Sequence, residues 1–249
     1  MSNFLLMRLN APMQSWGISS RFSIRDTAKE PSKSGVIGLL CAALEISRDE
    51  ANVEKNEKFK KLTELKMGVR VLSEGIMQKD YHTAQNVAKA DKGTKPTELS
   101  TRWFLADADF VVALESEDPE FLNELQKALE NPKWQLFFGR KAFVPALPVY
   151  FTEGVFSTDL SLAKFIESPE IEKSLRKYRF GECSNKNFSD RKQRIIIEDK
   201  NGDETVQDVP LDFAKRRFSL RRVKTDFITP VNIEKEEKEN GNLSDEDNS

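Results

Sequence analysis

The chain has 249 residues, of which 38% are hydrophobic and 32% charged, and a formal net charge of −2 at pH 7. This length and apolar content suffice for one large domain or two small ones without disulfide staples. Cys41 and Cys183 are the only cysteines, a pattern that predicts a reducing, cytoplasmic environment and excludes a disulfide framework or paired-cysteine zinc site. Because no long apolar run occurs, we expect neither a signal peptide nor a membrane span.

The acidic residues are concentrated at the C-terminus. Residues 233–249 contain seven acids and two lysines, so this tail has a net charge of −5. Since the whole chain has a net charge of −2, the remaining residues carry +3. The tail is polar and lacks aromatic residues, which predicts disorder. A solvated tail is the simplest interpretation, and an autoinhibitory mimic of phosphate is the alternative.

Strand and helix patterns alternate through the first part of the chain. The apolar run Phe4–Leu9 predicts a strand. Ser32 predicts the N-cap of a buried helix that continues to Leu44, because apolar residues recur there at helical spacing. We expect a charged, exposed second helix over Asp49–Leu65 and a strand over Met67–Leu72.

The pattern changes between Ile76 and Thr101, where lysines and a Lys92-Gly93-Thr94 turn replace the apolar residues. This composition predicts an extended hairpin or loop that projects from the core. The elements expected after it are a strand, a helix and a glycine-centred basic turn that leads into a proline-broken strand: Phe104–Leu114, Asp118–Leu129 and Phe138–Phe143.

This order of elements predicts an α+β fold with a ferredoxin-like βαββαβ core. We expect a first domain over residues 1–150, with the projecting segment at about 76–101. A smaller β-rich region is expected over residues 151–232, with a helix near Leu160–Ile166 and a strand at Arg194–Ile197. The acidic tail, residues 233–249, forms the third predicted part.

Four basic residues stand just ahead of or at the start of the buried helix: Arg21, Arg25, Lys29 and Lys33. The stretch Ser32–Gly35 resembles part of a phosphate-binding P-loop, but that loop needs Gly-Lys-Ser/Thr with another glycine five residues earlier, and here Glu30-Pro31-Ser32 precede Lys33. What remains is a helix N-terminus whose N–H groups and positive dipole end suit a phosphate, with Lys33 as a point charge. An ordinary helix cap beside unrelated lysines is the alternative.

The sequence contains one histidine, His82, which follows Tyr81. It could serve as the general base of a metal-independent ribonuclease that activates a ribose 2′-OH. Such a site also needs an acid and oxyanion stabilisation nearby, so a hydrogen-bonding or base-stacking role is the simpler interpretation.

Two further segments combine basic and aromatic residues. Lys215–Lys224 has six cations in ten residues; as a strand it would carry charge on both faces and could grip a polyanion, although a solvated face is the alternative. In the Phe138–Phe143 turn, Gly139 permits close backbone approach beside Arg140 and Lys141. Separate basic segments with aromatics suggest a long single-stranded nucleic acid.

Several stretches, in order, resemble the CRISPR-associated family-five (RAMP) proteins, in particular the CasD type. They are "RLNAPMQSWG" (Arg8–Gly17), "RDTAKEPSKSGVIGLL" (Arg25–Leu40), "DYHT" (Asp80–Thr83), "TRWFLADADFVVAL" (Thr101–Leu114) and "FFGRKAFVPALPVYF" (Phe137–Phe151). The resemblance covers residues 1 to about 150. The acidic tail is not part of the family pattern.

The resemblance implies an RNA-recognition-like (RRM/RAMP) fold with a projecting thumb. It implies a non-catalytic subunit of a type I-E-like Cascade complex that binds the 5′ handle of the CRISPR RNA (crRNA) in antiviral defence. Its neighbours would be the backbone subunit CasC and the large subunit CasA, and contact with target DNA would be indirect. Neither a metal, another cofactor nor a membrane is expected.

The residues that we expect to contact RNA combine this resemblance with the charge pattern. They are Gln14, Trp16, Arg21, Arg25, Ser32, Lys33, Ser34, Tyr81, His82, Arg102, Gly139, Arg140 and Lys141. The thumb lysines expected to flank the RNA or a neighbouring subunit are Lys79, Lys89, Lys92 and Lys95.

Two alternatives remain open. One branch of the same family cleaves precursor crRNA, but it relies on a tyrosine and an adjacent Lys-His pair, whereas the lysine nearest to His82 here is Lys79. A general single-stranded-RNA-binding module would need only the charge pattern.

Overall fold

The computed structural model describes residues 1–17, 23–89, 92–178 and 191–230. The predictions for Arg21, for Cys183 and for the acidic tail over 233–249 lie outside the described residues. No helix in the described part of the chain is both long and apolar enough to cross a membrane.

The described residues form eleven strands and five helices. The strands are β1 (Ser2–Asn10), β2 (Met13–Gln14), β3 (Ile24–Arg25), β4 (Lys66–Ser73), β5 (Ile76–Ala88), β6 (Thr94–Ala106), β7 (Asp109–Ser116), β8 (Tyr150–Thr158), β9 (Gln193–Glu198), β10 (Glu204–Asp212) and β11 (Arg217–Ile228). The helices are α1 (Lys33–Ala43), α2 (Glu57–Glu64), α3 (Pro119–Glu130), α4 (Leu162–Glu167) and α5 (Pro169–Lys177). The α+β prediction is therefore confirmed.

A seven-stranded sheet forms the centre of the molecule, with the order β10-β11-β9-β4-β7-β1-β8. The three strands β1, β4 and β7, together with β8, follow the order β4-β7-β1-β8, and each is antiparallel to its neighbours. Helices α1 and α2 connect β1 to β4, and α3 connects β7 to β8.

The last three strands extend the same sheet. β9 pairs antiparallel with β4, and β11 and β10 follow outward from it. The strand β8, which starts at Tyr150, lies at the opposite edge. Residues on both sides of the expected boundary at 150 therefore share one sheet, and the division into domains stays a prediction.

Both faces of this sheet are covered, which explains why β1 is a continuous apolar run. Leu5, Met7 and Leu9 belong to the core shared with α1, α2 and α3. Phe4 and Leu6 point to the other face, where they join α4 and α5. Side chains alternate between the faces because a strand has a period of two.

Strands β5 and β6 pair over their whole length and form a long antiparallel hairpin, residues 76–106. The other edge of β6 pairs with β2 and β3 near its base. The predicted hairpin at 76–101 is confirmed, but it extends five residues further.

The prediction of one strand over Phe104–Leu114 is therefore wrong. Phe104 lies in β6, which ends at Ala106, and β7 begins only at Asp109. Asp107 between them has a φ of 55°, a left-handed conformation that interrupts a strand and that aspartate tolerates better than most residues.

Local capping signals account for the helix starts. The Ser32 hydroxyl accepts a hydrogen bond from the Gly35 N–H, as predicted from the sequence. Asp118 caps α3 in the same way. Helix α2 is shorter than predicted, because Asn56 caps it and the preceding residues form turns.

Candidate nucleic-acid interface

A cleft of about 610 Å³ runs beside α1. One wall is α1 itself, and the others come from β6, the residues before and after β3, and the loop that follows α3. Residues beyond both ends of α1, such as Ser32 and Arg48, line the cleft. Since a helix rises 1.5 Å per residue, the eleven residues of α1 make the cleft about 16 Å long.

Small residues of α1 form the floor of this cleft. Gly35, Gly38 and Ala42 recur at helical spacing and all line it. A Cβ at Gly38 would meet no atom within 4 Å, so the backbone there is open to the cleft. At Gly35 a Cβ would lie 2.9 Å from the Trp16 ring, which packs directly on the helix.

Three arginines meet at the end of the cleft near the start of α1. β3 runs parallel to β6 in a register that places Arg25 beside Arg102. Arg140 also lines the cleft, close enough for the charges of both to act on it. Arg140 donates a hydrogen bond from Nη2 to the Trp103 carbonyl at 2.9 Å and lies over the Phe143 ring. Burial lowers the pKa of Arg140, the positive charges of Arg102 and Arg25 lower it further, and the negative charge of Asp80 opposes this shift.

These arginines form no ion pair in the described part of the chain, although Asp80 lies opposite Arg102 on the neighbouring strand β5. Among the described residues, no Asp or Glu lies within ion-pair distance of Arg25, Arg102, Arg140 or Arg48. Asp26 is the acidic residue that lines the cleft. The cleft therefore presents several unpaired guanidinium groups, which suit the phosphates of an anionic chain.

Gly139 makes this wall possible. Its φ is 90°, and an added Cβ would lie 1.9 Å from the carbonyl oxygen of Ser15. The Ser15 N–H donates to the Phe138 carbonyl at 3.0 Å, which holds the two loops together. The prediction of a close backbone approach at Gly139 is confirmed, and the approaching group is this chain's own backbone.

Gln14 and Trp16 are buried beneath the cleft. The Gln14 amide donates to the carbonyls of Leu9 and Ala108, and its Oε1 accepts from the Trp16 Nε1 at 3.2 Å. Trp16 is 2% exposed and packs on Phe138. Gln14 therefore fixes Trp16 in place, and only Trp16 of the two lines the cleft.

The N-terminus of α1 already has partners within the protein. The Lys33 N–H donates to Asp208 at 2.7 Å, and the Gly35 N–H donates to Ser32. The Lys33 ammonium is 3% exposed and pairs with Glu198 at 3.0 Å. Burial lowers the pKa of Lys33, against the opposing attraction of Glu198.

These contacts correct the expectation that Lys33 presents an exposed point charge to a phosphate. Asp208 also accepts two hydrogen bonds from Arg221, at 2.6 and 2.9 Å. We call Lys33, Glu198, Asp208 and Arg221 the ion network. Ser32 and Ser34 line the cleft, whereas Lys33 does not. The cleft therefore has hydroxyl groups at the start of α1 but not the lysine charge.

Three of the six cations in Lys215–Lys224 are paired with this chain's own carboxylates, so the segment offers less free charge to a polyanion than its sequence suggests. Arg221 belongs to the ion network, and Arg217 and Lys224 pair with nearby carboxylates. Arg222 donates to the Gly202 carbonyl. Lys215 and Arg216, in the turn before β11, are exposed.

The remaining predicted residues do not line the cleft. Tyr81 and His82 lie on β5, opposite Thr101 and Ser100. Lys141 is exposed beside the cleft loop. The thumb lysines Lys79, Lys89, Lys92 and Lys95 are exposed on the hairpin, where Lys95 pairs with Glu98. Within the described ranges, no three His, Cys, Asp or Glu side chains could together hold a metal ion.

Arg48 and the exposed ring of Trp134 line the cleft but were not predicted as site residues. Arg48 follows the C-terminal end of α1, and Trp134 follows α3. Their chain neighbours Ser47 and Gln135 also line the cleft. Helix ends next to a predicted site are the one sequence signal that could have indicated them.

Comparison with known families places residues 4–224 within the family model described as CRISPR-associated protein (Cas_Cas5). The chain belongs to this CRISPR-associated family. The family resemblance inferred from the sequence is therefore confirmed.

Individual relatives of this CRISPR-associated chain agree. The protein named "CRISPR system Cascade subunit CasD" from Escherichia coli (strain K12) is 31% identical over 159 residues, which are 60% of this chain and 70% of that protein. A solved structure described as "Crystal structure of Cas protein" has 34% identity and a TM-score of 0.64, with 91% of this chain and 95% of that chain covered. Another, described as "CRISPR RNA-guided surveillance complex", has 28% identity and a TM-score of 0.70, with 91% and 90% covered.

The residues matched to the CRISPR-associated family include both the cleft and the ion network. Arg25, Arg102 and Arg140 lie inside the matched range, as do Asp208 and Arg221. The match ends at residue 224, so the acidic tail falls outside it.

Proposed function

We propose that this protein is a non-catalytic RNA-binding subunit of a type I CRISPR Cascade complex, in which it holds the 5′ handle of the crRNA. The observation that carries the proposal is the cleft beside α1, where Arg25, Arg102 and Arg140 converge and form no ion pair with a described carboxylate. The names of the Escherichia coli relative and of the similar surveillance complex support the same assignment.

The chemistry of the cleft suits single-stranded RNA. Guanidinium groups bind phosphate with paired hydrogen bonds, and single strands are recognised by bases that stack on aromatic rings. Trp134 is 42% exposed at the cleft and Phe137 lines it. A strand could therefore place phosphates on the arginines and a base on Trp134.

The β5–β6 hairpin is the part that we assign to a neighbouring subunit, with CasC and CasA as the proposed partners. Tyr81 and Leu99 are 66% and 46% exposed. Tyr81 pairs opposite Thr101, and Leu99 opposite Thr83, so the two side chains share one face. Exposed apolar side chains on one face of a projecting element favour a protein contact.

A ferredoxin-like arrangement of the core and a cytoplasmic location belong to the same proposal. The order β4-β7-β1-β8 with antiparallel neighbours supports the ferredoxin-like arrangement. In the split βαβ motif the third core strand, here β7, lies between the first two, here β1 and β4. The wide spacing of the two cysteines in the sequence supports the cytoplasmic location.

The position of His82 supports a role without catalysis. Side chains of adjacent strand residues point to opposite faces, so Tyr81 and Lys79 share one face of β5 and His82 lies on the other. A ribonuclease site requires base, acid and oxyanion donor to converge. Tyr81, Lys79 and His82 do not converge, because His82 lies on the opposite face of β5.

Binding measurements with the full-length protein test the proposal. We expect RNA that contains the repeat-derived handle to bind at least about tenfold more tightly than a scrambled RNA of equal length. Equal affinities would instead indicate a general single-stranded-RNA-binding module. In a reconstituted complex, Tyr81→Ser with Leu99→Ser should reduce association with CasC and leave handle binding unchanged.

The ribonuclease alternative has its own test. Incubation of the protein with repeat RNA in the absence of metal should leave the RNA intact. A single cut that disappears in His82→Ala would overturn the non-catalytic assignment.

A further inference from the structure

The cleft continues past the C-terminal end of α1 toward the turn between β10 and β11. Arg48, Ala51 and Phe213 line this end. Phe213 is the first residue of the turn, and its ring packs 5.5 Å from that of Phe59. The residues after Phe213 therefore emerge at the far end of the cleft, about one helix length from Arg25 and Arg102.

This turn is held firmly against the wall of the cleft. The Phe213 N–H donates to the Ala51 carbonyl, and the Val53 N–H donates to the Leu211 carbonyl, each at 3.1 Å. The Asp212 carboxylate accepts from the Asn52 amide at 2.8 Å and from the Lys215 N–H at 2.9 Å. The hydrogen bond from the Lys215 N–H lowers the pKa of Asp212, which keeps the carboxylate ionised.

Part of the positive charge of the turn has no ion-pair partner among the described residues, although the charge of Lys215 acts on Asp212. Arg217 pairs with Glu54 and Asp212. In the described part of the chain, Lys215, Arg216 and Arg48 have no carboxylate within ion-pair distance. Several exposed lysines elsewhere do pair with a carboxylate: Lys58, Lys61, Lys66, Lys95, Lys173 and Lys224.

Arg216 has a φ of 52°. A left-handed backbone is unfavourable for a residue with a Cβ, and the hydrogen bonds to Asp212 and the 51–53 segment hold the turn in that conformation. A rigid, exposed turn with two unpaired cations loses little conformational freedom when it binds an anion.

We propose that Lys215, Arg216 and Arg48 form a second phosphate-binding patch, which binds the RNA strand as it leaves the cleft at the C-terminal end of α1. This inference rests on the proposed function, since it extends the same RNA site. The strand would run along α1 with phosphates at both ends, over a distance that covers several nucleotides.

The test uses the full-length variant Lys215→Gln with Arg216→Asn. Asparagine tolerates a left-handed backbone, so the turn can keep its shape while two charges are removed. The matched control is Lys224→Gln on β11, whose lysine is already paired with Asp226. We expect handle RNA to bind about tenfold more weakly to the double variant, and the slope of log K against log salt to become shallower by about 1.4.

Backbone-modified RNA locates the contact. Uncharged methylphosphonate linkages are introduced one at a time along the handle RNA. Wild-type protein should lose affinity at linkages near both ends of the bound segment, and the double variant should be insensitive at one of those ends. The control variant should give the wild-type pattern.

The outcomes separate this inference from the function on which it rests. If wild-type protein prefers handle RNA and the double variant has an unchanged slope and methylphosphonate pattern, the second patch is wrong and the proposed function stands. If wild-type protein binds handle and scrambled RNA equally, handle recognition is wrong, and a shallower slope for the double variant on either RNA still supports the patch. Absence of RNA binding by wild-type protein overturns both.

Discussion

The start of α1 has two charged regions on its two sides, and they differ in how their charge is balanced. On the cleft side, Arg25 and Arg102 lie beside each other and form no ion pair with a described residue, although Asp80 lies opposite Arg102 on β5. On the other side, Lys33 is paired with Glu198 and its N–H with Asp208. One region is open to an anionic ligand, and the other is closed by the protein's own carboxylates.

This difference shows that a cluster of basic residues in the sequence is not necessarily a positive surface. Arg25 and Lys33 are eight residues apart, yet only Arg25 is exposed. The ion network fastens the beginning of α1 to β9, β10 and β11. A fixed helix start in turn holds the floor of the cleft, so the buried ion network stabilises the position of the open arginine region.

The largest effect that we expect comes from breaking the ion network. In Asp208→Ala, the Arg221 guanidinium and the Lys33 N–H lose a buried acceptor. Removal of one partner of a buried ion pair costs about 3–5 kcal/mol. Urea denaturation measures this loss in the free energy of unfolding. The control Arg25→Ala removes an exposed charge and should change that free energy by about 0.5 kcal/mol or less; equal losses in the two variants would contradict the comparison.

A smaller loss is expected on the cleft side, at Gly139. The variant Gly139→Ala would place a Cβ into the Ser15 carbonyl and strain a positive φ, and we expect a cost of at least about 2 kcal/mol. Gly154→Ala is the matched control, because its φ is 77° and its Cβ would meet open space. Backbone strain alone predicts about 1 kcal/mol there. If the two substitutions cost the same, the contact with Ser15 does not shape the cleft.

The smallest effect is expected at Lys224, a paired cation on the surface. Both members of the Lys224–Asp226 pair are about half exposed, and such pairs contribute about 0–1 kcal/mol. Lys224→Ala should leave handle-RNA affinity unchanged in a filter-binding or polarisation assay. A loss of affinity as large as that of Arg102→Ala would mean that paired and unpaired cations bind RNA alike.

Local sequence signals predicted the parts of the fold that depend on neighbours in the chain. Ser32 and Asp118 cap their helices as expected, and the apolar run of β1 becomes a buried strand. The Lys92-Gly93 turn correctly indicated a hairpin, with φ values of 66° and 100° at its tip. Each of these features is decided within a few residues.

The distribution of charge could not be predicted in the same way. Glu198 and Asp208 are 165 and 175 residues from Lys33, and only the sheet order brings them together. Sequence analysis identified Arg25, Arg102 and Arg140 but grouped them with Lys33, because nothing local separates a paired cation from an unpaired one. Arg48 was missed for the same reason, since only tertiary packing places it in the cleft.

The most direct test compares the salt dependence of handle-RNA binding for the two regions. The cleft variant is Arg25→Ala with Arg102→Ala, and the network variant is Lys33→Met, each shown to be folded before the measurement. Each lost phosphate contact on a single strand makes the slope of log K against log salt shallower by about 0.7. We predict a change of about 1.4 for the cleft variant and no change for Lys33→Met. A shallower slope for Lys33→Met together with an unchanged slope for the cleft variant would contradict the assignment of the RNA site to the unpaired arginines.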